Sequence, residues 1–278
     1  MKLTFTTPSA WDKAEGFGCA TQRFAGIERD SATFEKELNG TLLTGSYQQI
    51  LDKAALVTPT PDIAIVFFGN AGGENEFLKQ LSAIVKCSAV GGGAAFESIP
   101  GLITGNGQAA VFLVQDSRYS YHTETKCIHD EIIDECCLTL SDPRTLLTIN
   151  GIDAAQYLAQ KKSALGLPKT DFEHLTLTDT DGINAHLSLS GTTVKSGRDL
   201  CEKMLLRYVP HEKVYSRIRD FYDDPDAIIF GCAGLGSILD RPLDTSSLGL
   251  FLFGEVCTVG DHSEFGNLML SKLKILPK

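Results

Sequence analysis

Cys232 is the first residue whose type and setting could do chemistry. It lies in Phe230-Gly231-Cys232-Ala233-Gly234, at the end of an apolar run that starts at Ala227. A thiol in a glycine-flanked turn after a strand sits where backbone N–H groups can point at a ligand. A nucleophilic thiol needs a nearby base, and His262 is the candidate by its spacing around the Gly254-Glu255 loop. A Gly-x-Ser/Cys-x-Gly elbow would need glycine at position 230, where Phe230 stands. The competing reading is a small buried thiol packed under the turn. Fast alkylation at neutral pH would mark the first and slow alkylation the second.

Glu255 is the sharpest polar residue. It follows the apolar run Leu248–Gly254, so a carboxylate emerges directly from a buried strand. Such a group must be paired or hydrogen-bonded. It could hold a ligand's ammonium group, or accept backbone N–H bonds and pin the loop. Two glycine-rich segments follow strand-like runs, Gly69–Gly73 and Gly91-Gly92-Gly93, and both read as loops. The first leads into a helix start, but Glu74 and Glu76 already complement the helix dipole there, and no Lys-Ser/Thr follows to make a nucleotide loop. Gly105-Asn106-Gly107-Gln108-Ala109-Ala110 fits a dinucleotide fingerprint on paper but runs into a strand, which excludes that reading.

The residues His122, Cys127, His129, Cys136 and Cys137 are the one metal-like set. Their spacing matches no zinc finger or ribbon, and the adjacent pair Cys136-Cys137 would point to opposite faces of a strand. Packed thiols and solvent-exposed histidines are expected instead, with no metal. Arg207, His211, Lys213, Arg217 and Arg219 are offset by Glu212, Asp220, Asp223 and Asp224, the pattern of a solvated helix face.

These residues must be positioned by strands and helices that repeat. Residues 61–72 read Pro-Asp, an apolar run and a Gly-x-Ala-Gly turn, and residues 225–234 repeat the phrase. An amphipathic stretch precedes each copy, Ser46–Val57 and His211–Asp223, and an unbroken strand closes each, Ala109–Val114 and Leu268–Leu276. Helices are expected over Ser46–Val57, Glu74–Lys86, Ala154–Leu165 (N-cap Asp153) and His211–Tyr222. Strands are expected over Ile63–Phe68, Cys87–Val90, Gln108–Gln115, Thr145–Asn150, Ala227–Phe230, Leu248–Phe253 and Leu268–Leu276, with a hairpin across Asp179–Gly182. Tyr119–Leu140 and Leu200–Tyr208 have no decisive period. Trp11, Phe17, Phe24 and Phe34 lead us to expect that the first 40 residues pack on the rest. The fold class is therefore α/β, with α+β as the alternative: two duplicated halves, 1–142 and 143–278, with mixed sheets flanked by helices and a large shared interface.

The 278-residue chain has ordinary apolar content and can bury a sizeable core. It carries 25 Lys and Arg against 35 Asp and Glu, a formal net charge of −10, which argues against nucleic acid and anionic membrane surfaces as partners. Eight cysteines (Cys19, Cys87, Cys127, Cys136, Cys137, Cys201, Cys232 and Cys257) in a long chain without a signal-peptide pattern read as thiols in a reducing compartment. No run reaches the roughly 18 apolar residues of a membrane span, so a cytoplasmic protein is expected.

Taken together, Phe230–Gly234, Leu248–Glu255 with its Phe253-Gly254-Glu255 end, and Glu264-Phe265-Gly266-Asn267 before a closing strand resemble the C-terminal part of the FIST sensory-domain family (F-box and intracellular signal transduction). Asn150–Ala154 with Tyr157 is similar to that family's Asn/Asp-Gly-x-x-Ala helix start. Ile63–Phe68 and Ala89–Phe96 resemble its buried strand and Gly-Gly loop. The resemblance covers roughly 50–278. Two positions depart from it: Leu235 stands where a basic residue is usual, and Gly266 where a His is common.

The resemblance implies a small-ligand-binding sensory module without catalysis or cofactor. The ligand would be an amino acid or small carboxylate, with a signalling protein as partner and an apolar patch or homodimer face for it. Gly91, Gly92, Cys232, Gly254, Glu255 and Asn267 would line the pocket between the halves. The glycines would offer donors to a carboxylate, Glu255 would meet an amine, and Asn267 would orient the ligand. Two alternatives stay open. One is a cysteine-dependent hydrolase or transferase using Cys232 with His262. The other is a family remnant that only docks a partner, its pocket filled by its own side chains, Leu235 among them.

Overall fold

The computed structural model describes residues 1–6, 17–20, 34–69, 72–93, 107–241, 243, 248–252 and 254–278. Trp11, Phe24, Ala94–Phe96, Gly105 and Phe253 lie outside them. From the N-terminus the chain forms β1 (Lys2–Thr6), β2 (Phe17–Ala20), β3 (Phe34–Glu37), β4 (Gly40–Ser46), α1 (Tyr47–Ala54), β5 (Ile63–Phe68), α2 (Glu74–Val85), β6 (Ala89–Gly93) and β7 (Gln108–Val114). Then come β8 (Tyr119–Cys127), β9 (Glu131–Asp142), β10 (Thr145–Ile149), β11 (Ile152–Asp153), α3 (Ala154–Ala164), β12 (Leu175–Thr178), β13 (Asn184–Ala185), β14 (Leu187–Ser190), β15 (Thr193–Ser196) and β16 (Lys203–Tyr208). The last part holds α4 (His211–Tyr222), β17 (Ala227–Cys232), α5 (Ala233–Ser237), β18 (Leu248–Leu252), β19 (Glu255–Val259), β20 (His262–Gly266) and β21 (Met269–Pro277).

The fold is α/β with mixed sheets. The two copies of the repeated phrase occupy equivalent places. β5 lies between parallel β6 and antiparallel β7, and β17 lies between parallel β18 and antiparallel β21. The sheets run β20-β19-β6-β5-β7-β4 and β18-β17-β21-β8. They pack face to face, because alternate residues of each central strand point to opposite sides. Ile63, Ile65 and Phe67 join Ile228, Phe230, Leu273 and Ile275 in one core. The rings of Phe67 and Phe230 meet across it at 6.5 Å. The other face of β5, with Ala64, Val66 and Phe68, is covered by α1 and α2, and the other face of β17 by α4 and α5. The result is four layers, helix–sheet–sheet–helix. Leu3 in β1 and Leu38 just after β3 join the central core, and Phe34 packs against it. β5 and β17 are continuous apolar runs because both of their faces are buried.

Local signals explain the helix limits. Ser46 caps α1 in a capping box with Gln49, and the Asp153 carboxylate accepts the Gln156 N–H at 3.0 Å at the start of α3. The stretch Tyr119–Leu140 resolves into β8, the turn after it and most of β9, and Leu200–Tyr208 into a lead and β16. β9 enters a third sheet, β13-β12-β16-β9-β10-β15-β14, around its own core with Tyr157 and Leu158 of α3 inside. β13 and β14, at the two ends of this path, are separated in sequence only by His186, so the chain itself links the two ends.

One expectation is corrected. Gly91–Gly93 is not a loop but the end of β6, with β5 on one side and β19 on the other. Gly91 has φ +127°, and a Cβ there would lie 1.9 Å from the Val66 carbonyl oxygen. A Cβ on Gly92 would lie 2.2 Å from the Gly254 carbonyl oxygen. These glycines are backbone-contact positions, where a side chain has no room.

Candidate functional site

Four chain segments meet where the two sheets exchange strands. After β18 at the edge of the second sheet, the chain crosses to the first sheet as β19, returns along β20, and crosses back as β21. The outward crossing is at Gly254, with φ +85°, and the return is at Leu268, with φ +54°. A left-handed leucine is unusual and marks a tightly determined turn. A Cβ on Gly254 would fall 2.3 Å from the Phe265 ring and 2.8 Å from Asn267 Nδ2, so only glycine lets the two crossings stack.

Cys232, Gly254, Glu255 and Asn267 all stand at this double crossing, with Gly92 beside Glu255 in the ladder and Gly91 one residue before it. Glu255 opens β19, pairs with Gly92 and Gly266, and is fully buried. Its Oε2 accepts the Met269 N–H at 3.2 Å, while among the described residues its Oε1 has no hydrogen-bond partner. Burial pushes its carboxyl well above the usual range, and the Met269 N–H and the neighbouring Cys232 thiol only partly offset this. Among the described residues no basic side chain is paired with it. Burial without a basic partner therefore favours the protonated form of Glu255, which can donate as well as accept.

Cys232 is buried on the helix side of β17. Burial raises its thiol pKa strongly, and Glu255 raises it further, against the backbone amides of Leu268, Gly234 and Gly254. A thiol held protonated is a poor nucleophile. The paired base is also absent. His262 sits at the far end of the β19–β20 hairpin, opposite Val259, whereas Glu255 pairs with Gly266. Four residues of strand separate the two ends by about 13 Å. His262 contacts Glu264 at 3.1 Å and Asp261 at 3.3 Å. The Cys232–His262 pairing expected for a hydrolase or transferase is thus not formed.

Asn267 is buried and committed to the chain's own backbone. Its N–H donates to the Asn184 carbonyl at 2.9 Å, and its Oδ1 accepts the His186 N–H at 3.4 Å. The Gly93 N–H donates to the Gly254 carbonyl at 3.0 Å. The glycine segment and Asn267 therefore build the crossing.

Sequence reasoning missed Asn184. It is fully buried, donates from Nδ2 to the Leu268 carbonyl at 3.3 Å, and accepts the Thr178 hydroxyl at 2.7 Å. It ties the third sheet to the return crossing. The available signal was an asparagine inside the strand-like run Ile183–Leu189, where that residue is disfavoured without a hydrogen-bonding reason.

The metal-like set of the sequence does not assemble: Cys127 and His129 meet at Asn184 Nδ2, at 3.0 and 3.4 Å, while Cys136 and Cys137 stand on β9. Cys136 is buried and Cys137 exposed on opposite faces of β9. His129 is not solvent-exposed as expected but fully buried. Its Nε2 lies 2.7 Å from the Glu173 carbonyl, and burial pulls its pKa down to about 4. Among the described residues the one cluster with metal-ligand proximity is Asp181, His262 and Glu264. Set against family models the chain matches none, and no curated protein matches it.

Proposed function

We propose that this chain is a small-ligand-binding sensory module that recognises an amine-bearing ligand at Glu255. The observation that carries this reading is a fully buried carboxyl with one oxygen unpartnered among the described residues. A buried polar atom left without a partner is costly, and sites that persist with one are commonly functional. A ligand ammonium group would complete the bonding of Oε1 and supply the counter-charge for ionisation. Because Oε1 is closed to solvent, entry requires the crossings at Gly254 and Leu268 to part. That coupling turns ligand binding into a conformational signal a protein partner could read. The likeness of Phe230–Gly234 and the Glu255 and Asn267 positions to the FIST family points the same way.

A thermal-shift and calorimetric screen of amino acids, amines and small carboxylates tests this. Ligand at 100 times its dissociation constant adds about 2.7 kcal/mol. We expect hits confined to amine-bearing compounds and abolished by Glu255→Gln. Hits among carboxylates lacking an amine, or an amine response unchanged in Glu255→Gln, would overturn the assignment.

A second reading has one observation in its favour. Leu235 is fully buried in the cluster that holds Cys232, Leu268 and Leu270, so side chains of this chain occupy the helix side of the crossing. A docking module that binds no small molecule would look the same there, and it predicts a flat screen.

A further inference from the structure

We propose that Asp181, His262 and Glu264 form a binding site for a divalent transition-metal ion of the zinc class, which would tie the third sheet to the β19–β20 hairpin. The site is independent of the ligand reading and lies at the other end of that hairpin. One ligand atom from each residue comes within 4.8 Å of the other two. Donors around a bound zinc lie roughly 3.4 Å apart, so closing the set takes a movement of about an ångström. Asp181, the exposed member, can supply it from a turn tip.

The sequence places the three donors by simple rules. His262 and Glu264 are two apart on β20 and share a face, while Ser263 and Phe265 between and beyond them point inward and are buried. Asp181 is presented by the turn that joins β12 to β13. There the Asp179 carboxylate accepts the N–H groups of Asp181 at 3.0 Å and Ile183 at 2.9 Å. A single guanidinium fixes both parts. Arg198, nearly buried, donates to Asp179 Oδ2 at 2.9 Å and to Glu264 Oε2 at 3.1 Å. Glu264 Oε1 is left pointing at His262 Nε2, at 3.1 Å. The other imidazole nitrogen faces the Asp261 carboxylate at 3.3 Å, the outer-sphere partner that orients metal-bound histidines.

The cluster lines a cleft of about 990 Å³ between α2 and the hairpin. The cleft walls carry the carboxylates of Asp62, Asp181, Asp261 and Glu264 against the ammonium groups of Lys79 and Lys86, a balance that favours a cation. One imidazole with two carboxylates suits zinc, manganese or iron(II) over calcium or magnesium. The metal would take the place of the hydrogen now shared by His262 Nε2 and Glu264 Oε1. Three protein ligands leave coordination positions open to the cleft.

The test is titration of the full chain with Zn²⁺ by calorimetry and with Co²⁺ by visible absorption, because the exposed thiols Cys137 and Cys201 are rival ligands. We expect one equivalent bound, a cobalt spectrum without thiolate charge-transfer bands, and an affinity loss of at least about tenfold in His262→Ala. Asp181→Asn, on an exposed turn, gives the same loss with no change to the core. No binding, thiolate bands, or affinity unchanged in Asp181→Asn would each overturn the proposal.

Discussion

The two ends of the β19–β20 hairpin place carboxyl groups in opposite surroundings. Glu255 is sealed at the double crossing, with one oxygen unpartnered among the described residues and its pKa pushed up by burial. Glu264, at the open end, shares its oxygens between Arg198 and His262. A hairpin that leaves one sheet, pairs with another and returns must bury the end where it crosses and expose the end where it turns. The buried end can hold few partners and strong energies. The open end can collect several charged partners, the nearly buried Arg198 on one side and the water-screened His262 and Asp261 on the other.

The crossing is the place to break this picture. Valine at Gly91 would drive a side chain into the Val66 carbonyl, at a position whose φ of +127° already excludes ordinary residues. We expect Gly91→Val to lose about 4 kcal/mol or more, or to fail to fold, as read from urea unfolding. A loss below about 1 kcal/mol would mean that β6 can move away from β5, and the crossing would not be the rigid end of the hairpin.

Thiol chemistry sharpens the same contrast. Cys137 and Cys201 are exposed, whereas Cys232 and Cys257 are buried with their pKa values driven up mainly by burial. Reaction at Cys232 requires an opening of several kcal/mol, so its alkylation should be at least about a thousandfold slower than that of Cys137. Mass-spectrometric mapping of iodoacetamide modification over time gives both rates. Fast labelling of Cys232 would revive the cysteine-dependent enzyme.

The contrast also explains what the sequence could and could not tell. Ile63–Phe68 and His211–Tyr222 were legible to the residue, because unbroken β-branched runs and a 3.6-residue period are local signals. Cys232 and Glu255 stand out because each interrupts an apolar strand end, whereas Asn267 stands out only through the family resemblance. Gly91–Gly93 was misread because a glycine required by a close backbone contact has the same letter as one required by a turn. The β19–β20 hairpin and its metal-like cluster went unseen. His262 and Glu264 are neighbours in sequence, but Asp181 and Arg198 reach them only through the fold, and no short-range pattern encodes that.

Protonation of Glu255 gives a pH-dependent prediction. Its folded pKa lies above the unfolded value of about 4.3. The folded state therefore holds a proton that the unfolded chain has released. The associated stability is full below that value and is lost as pH rises toward the folded pKa. The loss proceeds at up to about 1.4 kcal/mol per pH unit for one proton. Glu255→Gln removes the slope. The variant should be more stable than the parent at pH 8 and no more stable at pH 4, while losing the amine response. Parallel stability–pH curves for the two proteins would mean that Glu255 is ionised and paired by a group outside the described residues.

The smallest effect belongs to the open end, and it is conditional. In chelator, His262→Ala removes only partly exposed contacts to Glu264 and Asp261 and should change stability by less than about 0.5 kcal/mol. With zinc at 100 times its dissociation constant, the parent should gain about 2.7 kcal/mol that the variant does not. The difference between the two proteins would thus appear only when the metal is added. A large loss in chelator would make His262 a structural residue of the hairpin. An equal gain in both proteins would place the ion on other ligands. Either result would remove the distinction between a sealed end that works through one costly group and an open end that works through several weak ones.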